Sequence, residues 1–106
     1  MVGLKARKTS PSKKSKAIDR LASKLAPVFR QFGVTRASIF GSWARGEQKK
    51  CSDVDLLAEI PGSLLDVARL ELAAEKRLRK SVDVLTYGGI DPLLKNRILG
   101  EEVRII

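Results

Sequence analysis

Residues 34 to 60, VTRASIFGSWARGEQKKCSDVDLLAEI, decide the fold. Val34 to Phe40 reads as a buried strand that stops abruptly at Gly41-Ser42. Residues 43 to 51 read as a polar turn or a short helix. Asp53 to Ile60 then gives the cleanest alternation in the chain, with Val54, Leu56, Ala58 and Ile60 on one face and Asp53, Asp55, Leu57 and Glu59 on the other, as a two-residue strand period requires. One face is core, and the other begins with two carboxylates.

Both ends of this segment suit phosphate chemistry. A strand that stops at Gly-Ser and turns toward a helix brings backbone close to a ligand, and freed N–H groups at a helix start attract anions. Gly-Ser is also a common turn. Asp53 and Asp55, on one face of a strand, are spaced to share a cation, and hard oxygen ligands suit Mg²⁺, which completes its shell with water and substrate phosphates. The same two acids also suit a solvated edge, where carboxylates usually lie.

Before this segment, Ile18, Leu21, Ala22, Leu25, Phe29 and Phe32 recur at three- and four-residue steps, which predicts a helix from Ala17, closed by Gly33. Pro27 within it should kink the helix or restart it. On the other side, Pro61-Gly62 breaks the strand and Ser63 with Asp66 forms a helix cap. Leu64, Leu65, Ala68 and Leu72 are the expected apolar stripe of the helix that follows, and it ends in the basic stretch Lys76 to Lys80. Ser81 to Thr86 is a third strand, then comes a turn at Tyr87-Gly88-Gly89. Asp91-Pro92 starts a short helix that ends at Gly100, and Val103 to Ile106 reads as a last, edge strand. The order predicts an α/β or α+β sandwich around a small mixed sheet.

Asp83 interrupts the apolar residues Val82, Val84 and Leu85, where a carboxylate is costly unless paired, hydrogen-bonded or metal-bound. If its strand lies beside Asp53 to Ile60, three carboxylates converge before the Gly-Ser turn. Asp83 then suits both a metal ligand and the acceptor of a proton from an attacking hydroxyl.

Composition narrows the chemistry. The 106 residues contain no histidine, which excludes histidine bases, histidine-dependent hydrolase triads and histidine-ligated zinc. The single cysteine, Cys51, allows no internal disulfide and suits a reducing cytoplasm. No apolar run approaches a membrane span, and no secretory signal is expected because no apolar stretch follows the N-terminal basic residues. Of the net charge of +9, residues 1 to 16 carry six Lys or Arg and no acid, leaving 15 basic against 12 acidic residues, +3, for the rest. That segment reads as a mobile basic arm preceding one domain at 17 to 106, a solubilising tail more often than a contact to nucleic-acid phosphates.

The segments Phe40-Gly41-Ser42-Trp43-Ala44-Arg45-Gly46 and Ser52-Asp53-Val54-Asp55-Leu56-Leu57, with the later Asp83, closely resemble the signature of the minimal nucleotidyltransferase group of the DNA polymerase β superfamily. The resemblance covers about residues 17 to 106, and the combination is far more specific than any part. It implies that Gly41 and Ser42 hold the triphosphate of ATP, that Asp53 and Asp55 bind Mg²⁺ with Asp83 as third carboxylate, and that Arg45 contacts phosphate or remains a surface cation. Trp43 stands where the family varies, and core packing is expected of it.

Members of this group resemble antitoxins of two-gene modules whose partner is a HEPN ribonuclease toxin, silenced by transfer of AMP to a tyrosine as well as by binding. The resemblance therefore implies a protein adenylyltransferase. An RNA or small-molecule acceptor, or a non-catalytic binding module, are the alternatives, and neither a partner nor a second copy is excluded as a cover for exposed apolar surface.

Overall fold

The computed structural model describes residues 12–49 and 52–106, with side chains from Lys16 onward. Helix α1, Ser12–Phe32, leads into strand β1, Arg36–Phe40, and the one-turn helix α2, Ser42–Arg45. Strand β2, Val54–Glu59, helix α3, Leu64–Leu78, and strand β3, Val82–Thr86, follow. A 3₁₀ turn, Tyr87–Gly89, then joins β3 to helix α4, Pro92–Glu101, and the short strand β4, Val103–Arg104. The strands form a single mixed sheet in the order β3-β2-β1-β4. β2 runs antiparallel to β1 and parallel to β3, while β4 pairs antiparallel with the outer edge of β1. The mixed sheet flanked by helices is the architecture the sequence predicts.

α1 begins at Ser12, earlier than the apolar period that starts at Ala17. A helix turn that is polar all round has no hydrophobic stripe, so periodicity cannot announce it. Residues 1–11 of the expected arm lie outside the described residues. Pro27 neither ends nor restarts α1, which continues to Phe32. Leu25, Val28 and Phe29 around it are buried, and their packing offsets the hydrogen bond that proline cannot donate.

The principal core lies between the sheet and the α1/α3 layer. Leu25, Ile39, Val54, Leu56, Leu70 and Val82 have essentially no solvent exposure there. α3 is rotated from its sequence reading. Leu64, Leu65 and Leu72 are 83, 59 and 64% exposed, and Leu70, Ala74 and Leu78 are buried instead, with Val67 packed against them. The reason lies further along the helix: the expected stripe runs on into Lys76, whereas Val67, Leu70, Ala74 and Leu78 stay apolar to the last turn, so only the second can be buried without desolvating a charge. The predicted cap is present, with Ser63 Oγ accepting from Leu65 N–H and Asp66 accepting from Ser63 N–H.

α3 also serves the edge of the sheet. Its Glu71 and Glu75 accept from the backbone N–H groups of Val84 and Val82 at 3.0 and 3.1 Å, which satisfies the outer donors of β3 and blunts an otherwise open edge.

The opposite face is covered more thinly. Leu57 is fully buried beneath Ile90 and Ile98, with Phe40, Tyr87 and Leu99 packed around them. Ser38, buried on the same face, bonds Tyr87 Oη at 2.8 Å, and Tyr87 Oη also donates to Glu102 at 3.1 Å. The Arg36 guanidinium lies over the Tyr87 ring. This cover ends short of the first residues of β2, and the acidic side chains emerge there.

Candidate active site

The register of the sheet assembles the site. Asp55 pairs with Phe40 of β1 on one side and with Asp83 of β3 on the other. Directly paired residues project to the same face, so Asp55 and Asp83 sit side by side one residue before the Gly41 turn. Gly41 has φ of +74° with ψ of −149°, a combination open essentially only to glycine. A Cβ there would also lie 2.2 Å from Asp55 Oδ2. Glycine is thus required twice, for the turn and for the approach of the carboxylate to the backbone.

The turn passes directly into α2, whose first helical bond runs from Arg45 N–H to Gly41 C=O at 3.0 Å. Gly46, with φ of +73°, closes the helix, and Trp43 and Ala44 are its buried residues. Trp43 is core, as expected, and its indole N–H reaches Ser52 C=O. Lys49 N–H donates to Ser52 Oγ at 2.7 Å and tightens the loop just before Asp53.

One cavity of about 390 Å³ gathers most of the predicted residues: Gly41, Ser42, Arg45, Asp53 and Asp55 all line it. Asp83 does not line it. It lies beside Asp55, exposed to solvent, so the burial penalty expected of a carboxylate in an apolar strand does not arise. β3 is an edge strand whose two valines face the core while Asp83 and Leu85 face outward. Among the described residues no three acidic, histidine or cysteine side chains already stand close enough to cage a metal ion.

The electrostatics of Asp55 nevertheless mark the place. Burial first, then Asp83 and Asp53, raise its pKa above the ordinary 3.8, against a smaller lowering by Arg45. A partly desolvated carboxylate facing two others carries surplus negative charge that a divalent cation would relieve. The donor set fits Mg²⁺, which needs one or two carboxylates and leaves its other positions to water and phosphate.

Two contributors come from α4 and carry no sequence motif. Arg97 and Glu101, four residues apart on one helical face, line the same cavity with Leu94 and Ile98. Glu101 Oε2 accepts from Gly41 N–H at 2.7 Å and from Arg45 Nη1 at 3.1 Å. Arg45 also bonds Glu47 at 2.9 Å, and this bond, with those to Glu101 after it, holds the guanidinium pKa above its ordinary value. Only the folded chain shows these pairings, because Gly41 and Glu101 are 60 residues apart.

A Gly-Ser turn after β1, carboxylates at Asp53 just before β2 and Asp55 within it, and a third at Asp83 on the parallel neighbour are the arrangement the sequence signature leads one to expect of a nucleotidyltransferase. The chain belongs to the nucleotidyltransferase domain family, whose model matches residues 22–105. It is similar to a Methanocaldococcus jannaschii protein provisionally named a protein adenylyltransferase, with 52% identity over 84% of this chain and 98% of that protein. It is also similar to a solved structure provisionally described as a minimal nucleotidyltransferase, at 37% identity and a TM-score of 0.68, covering 85% of this chain and 93% of the other. A crystal structure of a toxin–antitoxin complex with AMP-PNP shares the fold at 17% identity and a TM-score of 0.71, over 80% of this chain and 72% of the other. No helix among the described residues is long and apolar enough to cross a membrane.

Proposed function

We propose that the chain transfers AMP from ATP to a hydroxyl group of a partner protein, the HEPN toxin of a toxin–antitoxin pair. The observation that carries this reading is the cavity that Asp53 and Asp55 line together with Gly41 and Ser42. The identity with a provisionally named protein adenylyltransferase over nearly its whole length supports the choice of reaction. The partner is inferred from the fold shared with a toxin–antitoxin complex and from the sequence signature.

In this reading Asp53 and Asp55 would hold Mg²⁺, which when bound neutralises charge on the triphosphate. The Gly41 turn lets the backbone approach the phosphates, which the N–H groups at the start of α2 and the Ser42 hydroxyl receive. Arg45 adds a fixed cation at the same wall. The acceptor hydroxyl attacks the α-phosphorus, the bond between that phosphorus and the bridging oxygen to the β-phosphate breaks, and pyrophosphate leaves. Asp83, exposed beside Asp55, takes the proton of the attacking hydroxyl. Its solvent exposure suits this role, since the acceptor arrives from outside on a second macromolecule.

The test is transfer of label from α-³²P-ATP to the purified toxin in Mg²⁺. The parent chain should label it, and Asp53→Asn with Asp55→Asn should reduce the rate by at least about a thousandfold, roughly 4 kcal/mol of transition-state stabilisation, with unchanged circular dichroism. Undiminished labelling by the double variant would overturn the assignment, and a labelled RNA in place of a labelled protein would correct the acceptor.

A further inference from the structure

We propose that Glu101 is a positioning residue for the nucleotide, acting through Arg45 and the Gly41 turn; the inference rests on the function proposed above. Gly41 N–H lies between two hydrogen-bonding systems. β1 ends at Phe40 and α2 begins at Ser42, so neither the sheet ladder nor the helix supplies it with an acceptor, and such orphan donors at helix starts need an external partner. Glu101 Oε2 is that partner at 2.7 Å. The same carboxylate meets Arg45 Nη1 through both oxygens, at 3.2 and 3.1 Å. One side chain thereby fixes the backbone of the phosphate turn and the direction of its cation.

The fixture is rigid at its other end. Glu102, the next residue, is bonded to Tyr87 Oη, and Ile98, one turn back, is buried against Leu57. Adjacent glutamates thus attach the end of α4 to the 3₁₀ turn after β3 and to the Gly41 turn. Glu101 is 18% exposed, with its charge met by donors, and charge-assisted bonds of this kind are short and directional. Arg45 spends Nε on Glu47 and Nη1 on Glu101. Among the described residues nothing is bonded to its Nη2, which leaves a planar donor pair for a phosphate.

Simple Coulomb repulsion makes the opposite prediction. Glu101 adds a negative charge beside the seat of a triphosphate, and removing it would then tighten ATP binding. Positioning and repulsion therefore differ in sign, and the sign can be measured.

The experiment is calorimetric titration of the full chain with ATP in Mg²⁺, for the parent, Glu101→Gln, Arg45→Gln and the double variant, with ATP KM and kcat for transfer measured alongside. Glutamine keeps an acceptor for Gly41 N–H, so the fold should persist, and circular dichroism checks it. Glu101→Gln should raise Kd and KM for ATP about tenfold while kcat changes less than about threefold. In the Arg45→Gln background the same change should have little further effect, because the two act as one unit. Glu101→Asp keeps the charge and should recover part of the affinity. Unchanged binding, tighter binding, or an equal loss in both backgrounds would each overturn the inference, tighter binding by identifying Glu101 as a rival of phosphate. If the parent itself takes up no MgATP, the proposed function falls and this inference with it, whereas a binding parent with an indifferent Glu101→Gln sinks only the inference.

Discussion

The two faces of one four-stranded sheet are put to different uses. β2 shows the division most plainly: Val54, Leu56 and Ala58 are fully buried under α1 and α3, while Asp55, Leu57 and Glu59 face the other way, where Leu57 is fully buried, Asp55 half-buried and Glu59 exposed. The first face has two long helices and a continuous core. The second has ten-residue α4 and a core of three buried residues. A domain this small buries a modest share of its surface, and it concentrates that burial on one side. The other side is left open enough to hold charge and, in the proposed function, to admit a nucleotide and meet a macromolecule.

The contrast can be broken by truncating each core. Leu25→Ala, at a site without solvent exposure, should cost about 3 to 4 kcal/mol in urea denaturation. Ile98→Ala, 7% exposed in the smaller cluster, should cost about 1 to 2 kcal/mol, because α4 can settle onto the vacated volume. Equal losses would show that the second face carries as much stability as the first.

Gly41→Ala probes the boundary between the faces. Its positive φ and the 2.2 Å approach of Asp55 Oδ2 should cost about 2 kcal/mol of stability and abolish MgATP binding, since the carboxylate must leave the turn. Retention of both would show that the turn does not hold Asp55 in place.

The smallest effect concerns charge. Asp55 has a folded-state pKa raised by burial, then by Asp83 and Asp53. Its ionised form therefore destabilises the metal-free fold above that pKa, and the loss is recovered as pH falls through it toward the ordinary value. Asp55→Asn should melt higher than the parent at neutral pH without Mg²⁺, and the difference should vanish on acidification through that range. Excess Mg²⁺ should raise the parent's melting temperature and leave the variant's unmoved. A variant that melts lower than the parent at neutral pH would show that Asp55 is stabilised by its neighbours.

Much of this was legible in the sequence where local chemistry is decisive. The alternation of β2, the Gly41-Ser42 stop, the Ser63–Asp66 cap and the Asp91-Pro92 helix start each depend on residues a few positions apart, and each is found. What the sequence concealed depends on distant neighbours. α3 carries two overlapping apolar stripes, and only the sheet it covers selects Val67, Leu70, Ala74 and Leu78. The polar start of α1 has no periodic signal. Asp83 was legible as a site candidate, but its exposure follows from β3 lying at the sheet edge. Glu101 has no motif because its partners, Gly41 and Arg45, stand at the other end of the domain.

In the proposed function Asp53 and Asp55 make a seat for a divalent cation between the protein and a triphosphate. Calorimetry of ATP binding, with Mg²⁺ and with Mg²⁺ chelated, tests it most directly. Binding should be seen with Mg²⁺, and should disappear on chelation and in the Asp53→Asn, Asp55→Asn double variant. Equal uptake of ATP by parent and double variant, or uptake indifferent to Mg²⁺, would contradict the account.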